Sequence, residues 1–216
     1  MAGPDRRAGY WNRERETMSS GAREGYQTRW LSELRAVAWA RARRPRRGLE
    51  EAKPTPRDLR STEDLARLPV IRKSAMPDLQ KADPPFGGFC TEPLSRIRKI
   101  FVSPGPILEP MGPEIGAFHA ETGLFAGGFR KGDIVLDTFA YALTPAAHEL
   151  DEALNILGCT VVPTGVGQTE IQVTMARTVR ATGYVGTPSF LLTILGKARE
   201  RGVDRLPFQV AQVGAE

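Results

Sequence analysis

From about residue 98 onward, short apolar runs alternate with amphipathic stretches of about a dozen residues. That alternation restricts the fold more than any other feature of the chain. Ile134-Val135-Leu136, Thr160-Val161-Val162, Tyr184-Val185 and the run Phe208 to Val213 read as strands, and Ile100-Phe101-Val102 as an earlier one ending in a Pro/Gly loop. Between them, Thr144-Pro145 predicts an N-cap and first-turn proline for a helix with Asp151 and Glu152 on it, an apolar face of Leu150, Leu154 and Leu157, and an end at Gly158. Thr169 and Gln172 have capping-box spacing and open a helix whose face is Ile171, Met175 and Val179. Thr187-Pro188 opens a third, with Leu191, Ile194, Leu195 and Ala198 inward. Strands joined by such helices cannot be hairpins. The expected class is α/β, a mostly parallel sheet with flanking helices, the strands 134–137, 159–163, 183–186 and 208–213 being parallel.

Ligands of parallel sheets gather outside the carboxyl ends of the strands. The loops to inspect are therefore 103–112, 138–145, 163–169, 186–189 and 214–216. Ser103-Pro104-Gly105-Pro106-Ile107 follows a strand, where phosphate-binding loops occur. The segments Gly165 to Glu170, Gly186 to Ser189 and Gly214 to Glu216 repeat the arrangement at later strands. Each alone is an ordinary turn; four at one sheet edge make a candidate site. The two histidines, His119 and His148, fall in no catalytic motif and read as structural.

Ahead of the sheet, residues 1–57 read as a basic helical arm and 58–97 as a short helix, with Ser61 as N-cap, followed by a Pro/Gly-rich connection. Trp30, Leu31, Leu34, Val37 and Ala38 recur at helical spacing before the run Arg41, Arg43, Arg44, Arg46 and Arg47, with Pro45 and Pro54 as breakers. The formal charge of +5 is uneven: residues 1–60 hold 15 Lys and Arg against 8 Asp and Glu. No aromatic residues interleave with the arginine run, so a solvated helix face is favoured over nucleic-acid binding. Cys90 and Cys159 form no pair or metal-ligand spacing, which fits a reducing cytoplasm and predicts no metal site. No apolar run reaches the length of a membrane span, and the N-terminus lacks a signal-peptide core.

Several segments together carry a family resemblance. The run Ser61 to Val70 and Pro85-Phe86-Gly87 resemble the entry region of phenylacetate-CoA ligases, members of the adenylate-forming superfamily. Leu157 to Pro163 followed by Gly167-Gln168-Thr169-Glu170, then Gly186-Thr187-Pro188-Ser189-Phe190, are similar to that family's segments in the same order. Gly214-Ala215-Glu216 looks like the start of its adenine-side motif. The resemblance implies ATP and Mg²⁺ as cofactors with CoA as co-substrate: a carboxylate attacks the α-phosphate of ATP, and CoA then displaces AMP. It assigns Ser103 and Gly105 to the phosphate loop, Phe139 and Tyr141 to a pocket for a small aromatic or acyl carboxylate, and Gly165 and Gly167 to the adenylate. Gly214, Ala215 and Glu216 would approach the adenine. Residues 98–216 would form an adenylate-forming half-domain.

Two departures from the family stand out. The family's phosphate loop is rich in Ser, Thr and Gly and carries a lysine. Here Pro104 and Pro106 each lack an N–H donor, and Glu109 stands where the lysine would be; adaptation and decay are both open readings of this loop. Measured against a typical member, the sequence stops about halfway, before the Tyr-Gly-x-Thr-Glu-type segment, the ribose-binding aspartate and the C-terminal lid lysine. The implied protein is an N-terminal fragment or split form, inactive alone, with a second polypeptide supplying the rest. The alternative is a non-catalytic binding module derived from the same fold.

Overall fold

The computed structural model describes residues 5–44 and 59–215; Pro45, Arg46, Arg47, Pro54 and Glu216 lie outside the described residues. The chain divides into two compact units, one of Glu14–Pro113 and one that joins Met1–Arg13 to Glu114–Glu216. Each is described by itself.

In the first unit, Ser19 opens helix α1 (Ser20–Arg41) by accepting from Ala22 N at 3.3 Å. The helix follows its sequence spacing, but of the expected stripe only Leu31 is buried, while Trp30, Leu34 and Val37 are exposed. Ser61 does not cap a helix. The turn Glu63–Arg67 is 3₁₀, and it is Asp64 that accepts, from Arg60 N at 2.8 Å and Ser61 N at 3.0 Å. Helix α2 (Met76–Ala82) presents a buried Gln80, whose amide pairs in both directions with the Leu108 backbone, at 2.8 and 2.9 Å. Leu108 lies in an antiparallel hairpin of β1 (Lys99–Ser103) and β2 (Ile107–Met111). The hairpin therefore belongs with the helices before it. This unit ends at Pro113, and Gln80 satisfies β2 as a neighbouring strand would.

The second unit is the α/β unit that the alternation predicts. Its elements are α3 (Ala120–Ala126), β3 (Ile134–Asp137), α4 (Ala146–Ile156), β4 (Thr160–Pro163), α5 (Thr169–Thr178), β5 (Gly183–Gly186), α6 (Pro188–Glu200) and β6 (Val210–Val213). All strand pairs are parallel, in the order β4-β3-β5-β6. Side chains alternate along each strand. Val135 and Val185 enter a core with Leu124, Phe129, Leu154 and Leu157, whereas Leu136 and Tyr184 enter a second with Val173, Ala176, Ile194 and Ala198. So α3 and α4 cover one face and α5 and α6 the other. Burying each leucine-sized side chain contributes about 2 kcal/mol.

Two helix starts differ from their sequence signals. Leu143 is left-handed, with φ 64°, so Thr144 turns its hydroxyl back to Ala140 O at 2.8 Å, and α4 begins after Pro145 without a side-chain cap. No capping box forms at Thr169; α5 begins after Gln168, itself left-handed. Its buried face is Gln172, Val173 and Ala176, with Val179 alongside, and Ile171 is exposed. The Thr187 cap is present, accepting from Phe190 N at 3.2 Å, with Pro188 in the first turn.

The N-terminal segment is fastened to this unit by Arg6. Its guanidinium forks onto Asp133 at 2.8 and 2.7 Å and also donates to Gly128 O at 2.8 Å. Arg130 donates back to Arg6 O and Ala8 O. No described helix is long and apolar enough to cross a membrane.

Candidate functional site

The carboxyl ends of the four parallel strands bring four of the five inspected loops together. β3 ends at Asp137, whose backbone carbonyl accepts from Thr164 N, Gly165 N and the Thr164 hydroxyl at 2.9–3.1 Å. That carbonyl ties the loop after β3 to the loop after β4. On the other side Thr138 N donates to Val185 O, and Gly214 N to Gly186 O. Gly186 has no room for a side chain: a Cβ would collide with the Thr138 hydroxyl and the Tyr184 phenol. Tyr184 is fully buried, and its hydroxyl donates to Thr187 O at 3.2 Å.

The loop after β4 exposes backbone. Gly165, Gly167 and Gln168 all have φ between 51° and 79°, the left-handed region where glycine carries no Cβ penalty. Nothing stands within 4 Å of a Cβ built on Gly167, and Gly165 meets only Phe139 O, at 3.8 Å. Gln172 holds this loop from beneath, donating to Gly165 O at 2.7 Å and to the Thr164 hydroxyl at 3.3 Å. This is why a polar residue occupies the buried face of α5. Its Oε1 has no hydrogen-bond partner among the described residues.

Of the expected pocket residues, Phe139 packs against the first core cluster. Tyr141 is half-buried, its ring edge-on to His148 at 5.2 Å between centroids. Its hydroxyl donates toward Asp137 Oδ2 at 3.0 Å, with Asp151 Oδ2 at 3.4 Å. One phenolic hydrogen thus faces two carboxylates. Burial pushes the Asp137 carboxyl up to about 7, against the lowering hydrogen bonds from Phe139 N and Tyr141. Burial and the two carboxylates push the Tyr141 phenol up as well, so it stays protonated. His148 Nε2 meets Tyr141 O at 3.0 Å. Burial pushes the Cys159 thiol up to about 11, far from a nucleophile's range.

Ser103 and Gly105 lie in the other unit. They flank the tip of the β1–β2 hairpin, with Ser103 opposite Ile107 and Gly105 at φ 136°. Ser103 is buried and its hydroxyl donates to Glu109 Oε1, which also pairs with Lys73 Nζ at 3.7 Å. Gly214 and Ala215 follow β6, and Glu216 is outside the described residues. No group of three or more His, Cys, Asp or Glu side chains that could hold a metal ion occurs among the described residues.

Sequence reasoning missed Asp137, Asp151, Gln172 and Lys73. Asp137 had a legible signal, a carboxylate closing an otherwise apolar strand at the edge where ligands bind. Gln172 was mistaken for a capping residue, and Lys73 had no local pattern to mark it.

Similarity to known proteins centres on one group. No protein-family model matches the chain. Phenylacetate-coenzyme A ligase of Thermus thermophilus is 30% identical over 212 residues, covering 94% of this chain and 46% of that protein. The Aromatoleum evansii and Pseudomonas putida proteins of the same name are 30% and 29% identical over 170 residues, 38% of each. The chain thus spans less than half the length of these relatives. Among solved structures, an open form of 2-hydroxyisobutyryl-CoA ligase in complex with 2-HIB-AMP and CoA superposes with a TM-score of 0.84 at 28% identity, over 94% of this chain and 45% of that one. The same ligase in its thioesterification state gives 0.82 at 27% identity.

Proposed function

Taking as premise that the chain is a homologue of the phenylacetate-coenzyme A ligases over most of its own length, with an adenylate-forming ligase fold, we propose that it supplies the acid- and adenylate-facing part of an ATP-dependent acyl-CoA ligase. The observation that carries this reading is the carboxyl edge of the sheet, where the Phe139–Tyr141 loop adjoins the open Gly165–Gln168 backbone. Adenylation joins a carboxylate to the α-phosphate of ATP and releases pyrophosphate; thioester formation then transfers the acyl group to CoA.

The residues present fit part of that work. The bare backbone at Gly165 and Gly167 admits close approach of a planar nucleotide or a phosphoryl group, and the Phe139–Tyr141 loop adjoins it through Phe139 O. The Tyr141 hydroxyl is occupied by Asp137, so the ring and not the phenol would meet the acid. The described side chains make no cage for Mg²⁺. The hairpin tip fits phosphate poorly: two prolines withhold N–H donors, and the Ser103 hydroxyl is turned onto Glu109. Catalysis of adenylation therefore draws on groups beyond this chain, and a second polypeptide carrying the remaining ligase segments is the partner that fits. The same fold used without chemistry, as a binding module, is the competing reading.

A pyrophosphate-release assay separates the two. With ATP, Mg²⁺, CoA and either phenylacetate or 2-hydroxyisobutyrate, the chain alone should run at background. Adding a separately expressed C-terminal portion of a phenylacetate-coenzyme A ligase should give acid-dependent release. Turnover by the chain alone would show that its hairpin tip works as it stands and would refute the division of labour. Background in both arms, with no binding of a non-hydrolysable acyl-adenylate analogue, would favour the binding module.

A further inference from the structure

At the opposite, amino edge of the parallel sheet, a hollow of about 500 Å³ is lined by Arg177, Arg180, Thr182, Arg205, Pro207 and Gln209. Arg177 is in the last turn of α5 and Arg180 follows its end, Thr182 and Gln209 immediately precede β5 and β6, and Arg205 lies in the connection after α6. The lining holds three guanidinium groups and no carboxylate. No ion pair joins any of the three to an acid among the described residues. Asp133, the carboxylate that the Thr182 side chain meets, is already bound by Arg6, by the Thr182 hydroxyl and by Arg130 N. Gln209 accepts from Arg6 at 3.1 and 3.3 Å through its Oε1, which leaves its NH₂ as the unclaimed end of the amide. The groups left over are all donors. A second hollow adjoins through Arg177 and adds Arg201, which meets Glu170 only at 3.8 Å.

Helix polarity accounts for part of this, since cations are favoured in the last turn of a helix. It accounts for Arg177 but not for Arg180, which lies beyond the helix end at φ 53°, nor for Arg205, which is outside any helix, nor for the amide orientation imposed on Gln209. Three exposed cations held around one concavity repel one another unless an anion sits between them. Guanidinium forks match phosphoryl oxygens two at a time.

We propose that this hollow binds a multiply charged phosphate, either free pyrophosphate or the diphosphate end of a nucleotide, at a site separate from the carboxyl edge. The full chain is titrated calorimetrically with pyrophosphate in phosphate-free buffer. Saturable binding that weakens with added salt is expected. Arg177→Gln and Arg205→Gln should each weaken it about tenfold, since each removes charge-assisted hydrogen bonds. Arg177→Lys, which keeps the charge and loses the fork, should fall between, and Arg199→Gln, outside the hollow, should bind as the parent does. All three substituted residues are exposed, and thermal melts coincident with the parent establish that the variants fold. Adenosine 5′-diphosphate run in parallel identifies the source: tighter binding than pyrophosphate marks a nucleotide ligand, equal or weaker binding a free one. The proposal is overturned by absence of saturable binding, or by arginine variants that bind like the parent, which would place the anion elsewhere. A single-stranded oligonucleotide that outcompetes pyrophosphate would overturn it too, making this a nucleic-acid face.

Discussion

Replacing Arg6 with alanine removes two charge-assisted hydrogen bonds to Asp133, one to Gly128 O and the pair to Gln209. Asp133 is 5% exposed and Arg6 18%, so the pair lies well short of the surface regime in which ion pairs contribute about 0–1 kcal/mol. It is also not the fully uncompensated case, where stranding a buried charge costs about 3–5 kcal/mol. Asp133 keeps the Thr182 hydroxyl and Arg130 N, each at 2.7 Å. The expected loss is therefore about 2–3 kcal/mol, a fall of roughly 4–12 °C in melting temperature for a chain of this size. Arg6→Lys should lose roughly half as much, because one ammonium cannot serve both carboxylate oxygens. Urea unfolding with matched m-values measures the difference. Burial alone would raise the Asp133 carboxyl, but the hydrogen bonds from Arg6, Thr182 and Arg130 outweigh it and hold it below the ordinary range. A depressed carboxylate contributes stability that is present above its unfolded value of about 3.9 and is lost as pH falls through the lower folded value. The gap between parent and Arg6→Ala should thus be flat near neutrality and close in acid. A loss under about 0.5 kcal/mol, or a gap that widens on acidification, would refute the reasoning.

Asp137 should behave in the opposite sense. Its folded value is raised to about 7, so stability should fall as pH rises from about 4 to about 7, by up to about 4 kcal/mol, and then level off; Asp137→Asn should remove that dependence, and an unchanged pH profile for the variant would count against the assignment. Gly186→Ala should be among the most damaging single-methyl changes in the sheet unit, at about 3 kcal/mol or more, because the new Cβ meets Thr138 and Tyr184 together. A variant as stable as the parent in urea would show that the strand end can give way.

What the sequence revealed depended on whether a signal was local. β3, β4, β5 and β6 were legible because apolar runs bounded by caps and glycines are written in consecutive residues. The faces of α4 and α6 were legible for the same reason: Leu154, Leu157, Ile194 and Ala198 are buried as their spacing implies. The second hairpin strand was not seen, since Ile107-Leu108-Glu109-Pro110-Met111 neither alternates cleanly nor avoids proline; it is held by a side-chain amide from Gln80. The face of α5 was misjudged because burial of Gln172 is decided by a carbonyl seven residues earlier, at Gly165, which no hydrophobic pattern records. The loops after β3 to β6 were legible as sharing one end of the sheet, but the Ser103–Ile107 loop expected with them is the tip of a separate hairpin. The Asp137–Tyr141–Asp151 contacts were not legible, since they depend on how α4 settles over the end of β3.

The clasp between Arg6 and Asp133 spans 127 positions of sequence, and the whole Glu14–Pro113 unit is threaded between its two halves. During synthesis, the first residues of the sheet unit leave the ribosome long before their partners exist. Arg6 must wait through that intervening unit for Asp133 and Gln209, and Asp133 waits in turn for Thr182. The inserted unit can therefore reach its own structure first and shorten the span that the closing contact must bridge. An expression fragment begun at residue 114 would contain every strand of the sheet and still lack the residue that fastens its near edge.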